Sequence, residues 1–348
     1  MKAGVLYAKD DIRYADWPDF TPGPDMIKVK MRVCGICGSD LPRVLGDAAH
    51  FYPVILGHEF SGEVVEVGEG VETIKPGDRV AGAPLMPCLK CDDCQQGNYA
   101  LCRNYGFVGS RQPGAFAEYV EIPARNAIVF DDNVTFEQGA LFEPSTVAIH
   151  GLLQADFRGG CDVAILGGGN IGILAMQWAN ILGAKSVTVF DIDEDRLALA
   201  GRLGADHMIN TKEADYLAQA MELTAGHGYD FVFETAGQPA TIKIGYELTA
   251  GKGTLCCIGT PSRPVEFSPE LWEKMNRREF KVTGSWMSYS APFPGREWTM
   301  TAHYFGTGEL RLEDSMVFKR MPLSQIAEAF DMFRTPGLVK GKILLTND

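Results

Sequence analysis

Between Cys161 and Ala184 an apolar run, CDVAIL, meets the cluster Gly167-Gly168-Gly169-Asn170-Ile171-Gly172 and continues into GILAMQWANILGA. A buried strand, a Gly-rich turn and a helix in that order leave few folds open, because strand and helix must pack closely across the turn. The spacing is G-x-G-x-x-G, which lets the backbone approach a pyrophosphate and aims helix N–H groups at it. Asp191 ends the next β-rich run, SVTVF, nineteen residues after Gly172. A carboxylate there bonds the ribose hydroxyls of NAD and repels the 2′-phosphate of NADP. Position favours that role over a simple helix N-terminal acid before EDRLALA.

The alternation continues downstream. DVAILG, SVTVFDI, HMIN, YDFVFETAG and GTLCCIG read as strands, with GILAMQWANILGA, DEDRLALAGRLGA, YLAQAMELTAG and ATIKIGYELTAG as helices. This rhythm predicts a doubly wound parallel sheet with helices on both faces, an α/β architecture. Glu234-Thr235-Ala236-Gly237 and Ile258-Gly259-Thr260 then fall at strand ends, where such sheets bind ligands, although their glycines also suit plain turns.

The residues before Phe142 have another texture. MIKVKMRVCG, SGEVVEVG and GAFAEYVEIP alternate or carry β-branched residues and predict antiparallel strands. EPSTVAIHGLLQAD then reads as a helix, and the tail after SAPFPG carries helical REWTMTAHYFGTG and LSQIAEAFDMF and a closing strand, KGKILLT. The tail does not extend the parallel rhythm and is expected to return to the first domain. With 348 residues, two domains are expected.

Two stretches carry metal-ligand chemistry. Cys37, His58 and Glu59 offer a thiol, an imidazole and a carboxylate within one Gly-punctuated segment, a donor mixture suited to zinc with one position open. Cys88, Cys91, Cys94 and Cys102 form C-x2-C-x2-C-x7-C on a polar loop. Four thiolates close a tetrahedral shell and make a structural zinc site, with an iron–sulfur cluster as the chemical rival. A formal charge of −13 argues against nucleic acid and anionic membrane as partners. The absence of a cationic apolar leader or long apolar run, with nine cysteines, predicts a reducing, cytoplasmic setting.

Taken together, Gly57-His58-Glu59 with Gly62, Gly68 and Val71, the box Cys37-Gly38-Ser39-Asp40, the four-cysteine lobe and the nucleotide fingerprint resemble a zinc-containing medium-chain dehydrogenase/reductase from end to end. The resemblance implies a β-rich GroES-like catalytic domain over 1–150 and 290–348 and a Rossmann NAD-binding domain over 151–289. It implies two zinc ions per chain and NAD. Cys37, His58 and Glu143 would hold the catalytic zinc, with Glu59 entering the shell or standing just outside it. Ser39 would take the substrate proton, and Asp40 would orient a ligand. Gly167, Gly169, Asn170, Ile171, Gly172, Asp191 and Arg196 would bind the cofactor. Pro42 stands where relatives often carry a proton-relaying histidine, so that relay needs a water chain or ribose hydroxyls instead.

The stretches CGSDLPRVLGDAAHFYPVILGHEFSG and GSWMSYSAPFPGREW resemble the polyol-phosphate members of the family. That likeness implies oxidation of galactitol 1-phosphate to tagatose 6-phosphate, with Arg43 gripping phosphate and Ser39 and Trp286 at the substrate. Phe51 is a further candidate wall, and Arg111 and Lys342 are further phosphate candidates. The alternatives are an unphosphorylated polyol of the sorbitol kind, threonine, or a non-catalytic zinc- and nucleotide-binding protein. Relatives of this kind form homodimers or homotetramers, which sets the expected assembly.

Overall fold

Alternating apolar residues in MIKVKMRVCG fold as the strand Met26–Gly35, around which the first of two units is built. The computed structural model describes residues Met1–Asn347. Its units are Met1–Glu143 with Tyr289–Asp348, and Pro144–Ser288.

In the first unit Met26–Gly35 pairs antiparallel with Glu59–Val67, with Tyr119–Pro123 and with the C-terminal strand Lys342–Thr346. Arg79–Gly82 and Ala127–Val129 extend one side, and Val317–Pro322 lies parallel to Lys342–Thr346 on the other. Val29, Met31, Phe60, Val64, Phe116, Phe330 and Leu345 form the core against this sheet. Register places the chemistry. Gly35 pairs with Glu59 on one side and with Leu344 on the other, so the residues just past Gly35 emerge beside His58, Glu59 and Lys342.

The second unit is a six-stranded parallel sheet in the order His207–Asn210, Ser186–Asp191, Asp162–Leu166, Tyr229–Glu234, Thr249–Cys257, Lys281–Gly284. The central strands are buried on both faces and read as continuous apolar runs for that reason. Helices Asn170–Ile181, Glu194–Leu203, Tyr216–Leu223 and Pro239–Leu248 connect them. The doubly wound sheet and the β-rich unit are the α/β architecture the sequence predicts.

Two elements depart from the sequence reading. Helix Pro269–Arg278 was not read from the sequence; Leu271 and Met275 lay its apolar side partly buried against the core, and Ser268 caps it by accepting from Leu271 N–H. Strand Val317–Pro322 sits in a mixed polar stretch, and its partner supplies the pattern. The stretch EPSTVAIHGLLQAD forms the helix Phe142–Gln154 as the sequence predicts, with Pro144 in its first turn, where proline is tolerated. Among the described residues no helix is long and apolar enough to cross a membrane.

Candidate active site and metal centres

Cys37 caps the short 3-10 turn Gly38–Asp40: its Sγ accepts from Ser39 N–H at 3.5 Å, and Asp40 Oδ2 accepts from Cys37 N–H at 3.1 Å. The same Asp40 is fully buried and turns Oδ1 toward His58 Nδ1 at 3.6 Å. Gly57, at φ +90°, admits the bend before His58, and a Cβ there would strike the Phe116 ring at 2.6 Å. These local devices bring ligating atoms of Cys37, His58 and Glu59 within 4.8 Å of one another.

Burial would lower the His58 pKa, but the negative charges of Asp40 and Cys37 outweigh it and push it up to about 10. Glu143 is also buried, which raises its carboxyl to about 7; it feels the charges of His58, Glu59, Lys342 and Asp40. Cys37, His58, Glu59 and Glu143 thus share one electrostatic site. Asp40 Oδ1 and His58 Nδ1 are both buried without a hydrogen-bond partner. A thiol, an imidazole and carboxylates gathered in a buried pocket fit a zinc ion better than they fit one another, because their charges and lone pairs need a cation.

Lys342 answers part of that charge. Its Nζ donates to Glu59 Oε1 at 2.8 Å, to Oε2 at 2.6 Å and to the Ile36 carbonyl at 3.3 Å, with both partners almost wholly buried. The pair exists because Gly35 leaves room: a Cβ there would lie 2.5 Å from Glu59 Oε2 and 3.2 Å from Lys342 Cδ. Lys342 is therefore not a phosphate-binding residue, which corrects the sequence reading. Its charge faces inward to a carboxylate.

The second cluster joins Cys88, Cys91, Cys94 and Cys102, with sulfur atoms within 4.8 Å. Cys88 N–H donates to Cys102 Sγ at 3.3 Å, and Cys91 caps the turn Asp92–Gln95. N–H groups of Lys90 and Cys91 lower the Cys88 pKa to about 6, whereas burial raises Cys94 to about 12. Four thiols this close, none in a disulfide, suit a closed tetrahedral zinc shell.

In the second unit Gly167 takes φ +106° and Gly169 caps helix Asn170–Ile181. Nothing lies within 4 Å of a Cβ built on Gly169, so the space on that side of the helix N-terminus is open. Gly172 serves packing: a Cβ there would fall 1.8 Å from the Gly167 carbonyl oxygen. Gly172→Ala is expected to cost about 1–3 kcal/mol and weaken dinucleotide binding, checked by thermal unfolding and cofactor titration. An unchanged melting temperature would contradict it. Asp191 ends its strand, with Oδ2 accepting from Gly168 N–H at 2.6 Å and Oδ1 from Ile192 and Asp193 N–H at 2.7 and 2.9 Å. Arg196 Nη1 stands 3.7 Å from Asp191 Oδ2. Glu234 is buried and accepts from Ala236 N–H, Gly237 N–H and Thr241 Oγ1, which fixes the neighbouring turn at the same sheet edge.

Family models match the two halves in order. The alcohol dehydrogenase GroES-like domain matches residues 23–132, and the zinc-binding dehydrogenase domain matches residues 170–301. Galactitol 1-phosphate 5-dehydrogenase of Escherichia coli (strain K12) is 39% identical over 322 residues, 92% of each chain. The chain belongs to the zinc-binding medium-chain alcohol dehydrogenases. A crystal structure of galactitol-1-phosphate dehydrogenase from Escherichia coli superposes on this dehydrogenase with a TM-score of 0.94 at 37% identity, covering 100% of both chains. L-threonine 3-dehydrogenase of Symbiobacterium thermophilum is 34% identical over 344 residues, 94% of this dehydrogenase and 92% of that one.

The remaining sequence candidates of this dehydrogenase fall as follows. Ser39 is exposed beside Cys37, and Arg43 Nη1 donates to the Ser39 carbonyl. Phe51 is 43% exposed and Trp286 57% exposed. The sequence reading missed the Lys342 clamp on Glu59. Two residues 283 apart carry no local signal of their pairing, and only the sheet register reveals it.

Proposed function

We propose that this dehydrogenase oxidises a secondary alcohol of a polyol phosphate, galactitol 1-phosphate to tagatose 6-phosphate, while NAD is reduced to NADH. The balance is one hydride to the nicotinamide and one proton to solvent. Zinc, when bound, supplies a Lewis acid that makes the alcohol proton easier to lose. Cys37, His58 and Glu143 are its assigned ligands, since both oxygens of Glu59 already accept from Lys342. Asp40 orients His58 and Cys37 from behind. Cys88, Cys91, Cys94 and Cys102 are assigned to the structural zinc.

Ser39 lies exposed beside Cys37, so its hydroxyl can accept the alcohol proton and pass its own to water. Pro42 offers no imidazole for the next step, and solvent takes that part. Arg43 holds the phosphate. Gly167, Gly169, Asn170, Ile171 and Gly172 cradle the cofactor pyrophosphate, Asp191 takes the ribose hydroxyls and Arg196 flanks them.

The observation that carries the substrate choice is a guanidinium, Arg43, fastened to the backbone of Ser39 two residues from Cys37. The similarity to galactitol 1-phosphate 5-dehydrogenase supports it. A panel of galactitol 1-phosphate, galactitol, sorbitol and threonine, followed by NADH absorbance, tests it. The phosphorylated substrate is expected to give the highest kcat/KM; a higher value for any plain substrate would overturn the reading. Asp191→Ala is expected to lower kcat/KM for NAD about 10–100-fold, the worth of a bond to a charged acceptor, and to narrow the preference over NADP. An unaltered NAD-to-NADP ratio would remove Asp191 from that role.

A further inference from the structure

We propose that Phe107 is a positioning residue, bracing the His58 imidazole for the catalytic metal, an inference that rests on the assignment of His58 as a zinc ligand above. A metal-bound imidazole takes its direction from a hydrogen bond at its other ring nitrogen. Here Nδ1 is buried without a hydrogen-bond partner, and Asp40 Oδ1 stands 3.6 Å away. Asp40 therefore attracts the ring through its charge without giving it the direction of a short hydrogen bond. An aromatic contact supplies that direction. The ring of Phe107 meets the His58 ring edge-on, with centroids 5.6 Å apart and planes inclined at 66°.

A brace must itself be fixed, and Phe107 is. It ends the short strand Gly106–Phe107, which pairs antiparallel with Leu85–Met86. Cys88, Cys91, Cys94 and Cys102 all lie between these two strands, so the strand pair is the base of the four-cysteine lobe. Leu85, directly opposite Phe107, is pinned by two buried side chains. Its N–H donates to the Tyr289 hydroxyl at 2.9 Å, and its carbonyl accepts from Asn126 Nδ2 at 2.6 Å. On the other side of the ring's own backbone, the Phe107 carbonyl accepts from the N–H groups of Ser110, Arg111 and Gln112 at 3.2, 2.9 and 3.2 Å.

The chain leaving that turn runs along the backbone that leads to His58. The N–H groups of Gly114, Phe116 and Ala115 donate to the carbonyls of Ile55, Leu56 and Gly57 at 2.8, 3.0 and 2.9 Å. Gly109 and Gly114 permit the close approach, because a Cβ on them would lie 2.3 and 2.4 Å from the Gly57 carbonyl oxygen. One continuous segment thus grips the backbone before His58 and presses a ring against its imidazole. Phe107 is only half-buried, unlike the core rings of Phe60 and Phe116, so exchanging it spares the core.

The test measures zinc affinity by chelator competition in the wild type, Phe107→Leu and Phe107→Tyr, with Cys37→Ser identifying which zinc belongs to the His58 cluster. Leucine keeps apolar bulk and removes the ring, whereas tyrosine keeps the ring. Phe107→Leu is expected to raise the dissociation constant of that zinc about five- to tenfold, the upper range for an edge-on ring pair, while the four-cysteine zinc is retained. Phe107→Tyr is expected to stay within about twofold of the wild type. A Phe107→Leu constant within about twofold of the wild type would overturn the brace and leave the zinc assignment standing, even if KM for the alcohol rose as a plain pocket wall predicts. An equal loss in both variants would also overturn it, since the ring is the part that acts. If Cys37→Ser removes no zinc, the assignment fails and the brace with it. Should Phe107→Leu fail to fold, Phe107→Met decides by the same constant.

Discussion

Cys37→Ser is expected to lower NADH formation about a thousandfold or more and to reduce zinc from about two ions per chain to about one. Cys37 is the soft donor of its cluster, and its Sγ lies within 4.8 Å of the ligating atoms of His58 and Glu59. Replacing a thiolate by a hydroxyl leaves an imidazole and carboxylates, a weaker set for zinc. The Lewis acid contributes several kcal/mol to the barrier, and each ~1.4 kcal/mol is tenfold in rate. The four-cysteine lobe keeps its own metal, so the variant stays folded. Metal content and initial rates on one sample check this. A variant that retains both zinc ions, or turns over at more than about a tenth of the wild-type rate, would contradict it.

The second large effect is on stability. Lys342→Met is expected to destabilise the first unit by about 3–5 kcal/mol, because it strands Glu59 as a buried charge. Glu59 is 2% exposed and Lys342 7%, so solvent cannot replace the lost ammonium. Methionine fills a similar volume, which confines the effect to charge. The Glu59→Gln/Lys342→Met pair removes both charges and is expected to recover much of the loss, since neighbours in one ion pair do not add independently. Urea unfolding of the three variants and the wild type reads both effects. A loss below about 1 kcal/mol in Lys342→Met, or a double variant no better than the single, would show that the ion pair does not hold this site.

The parts of the site that were legible in the sequence are those whose chemistry is packed into a short stretch. Gly167 to Gly172 announces its turn because each glycine answers a local steric demand, and Cys88 to Cys102 announces its lobe because four thiols on a polar loop have no core to fill. The strands and helices between Asp162 and Cys257 were readable from apolar period for the same reason: each buries a face fixed by its own residues. What was not legible depends on register. Gly35 reads as a strand end, yet it is the gap through which Lys342 reaches Glu59. Arg43 reads from the sequence as a phosphate candidate, but only the structure shows its guanidinium donating to the Ser39 carbonyl. Helix Pro269–Arg278 escaped notice because its apolar side, Leu271 and Met275, is short and only partly buried.

The most direct measurement of the central claim is graded chelation, with zinc and NADH formation followed together and folding monitored by circular dichroism. On the proposed assignment, four thiolates would close the shell around one zinc, whereas the ion at Cys37 and His58 would keep a position for substrate and should be released first. The expected result is loss of the first equivalent of zinc together with all activity, without unfolding, and recovery when zinc is returned. Full NADH formation from folded protein that retains a single zinc ion would contradict the account.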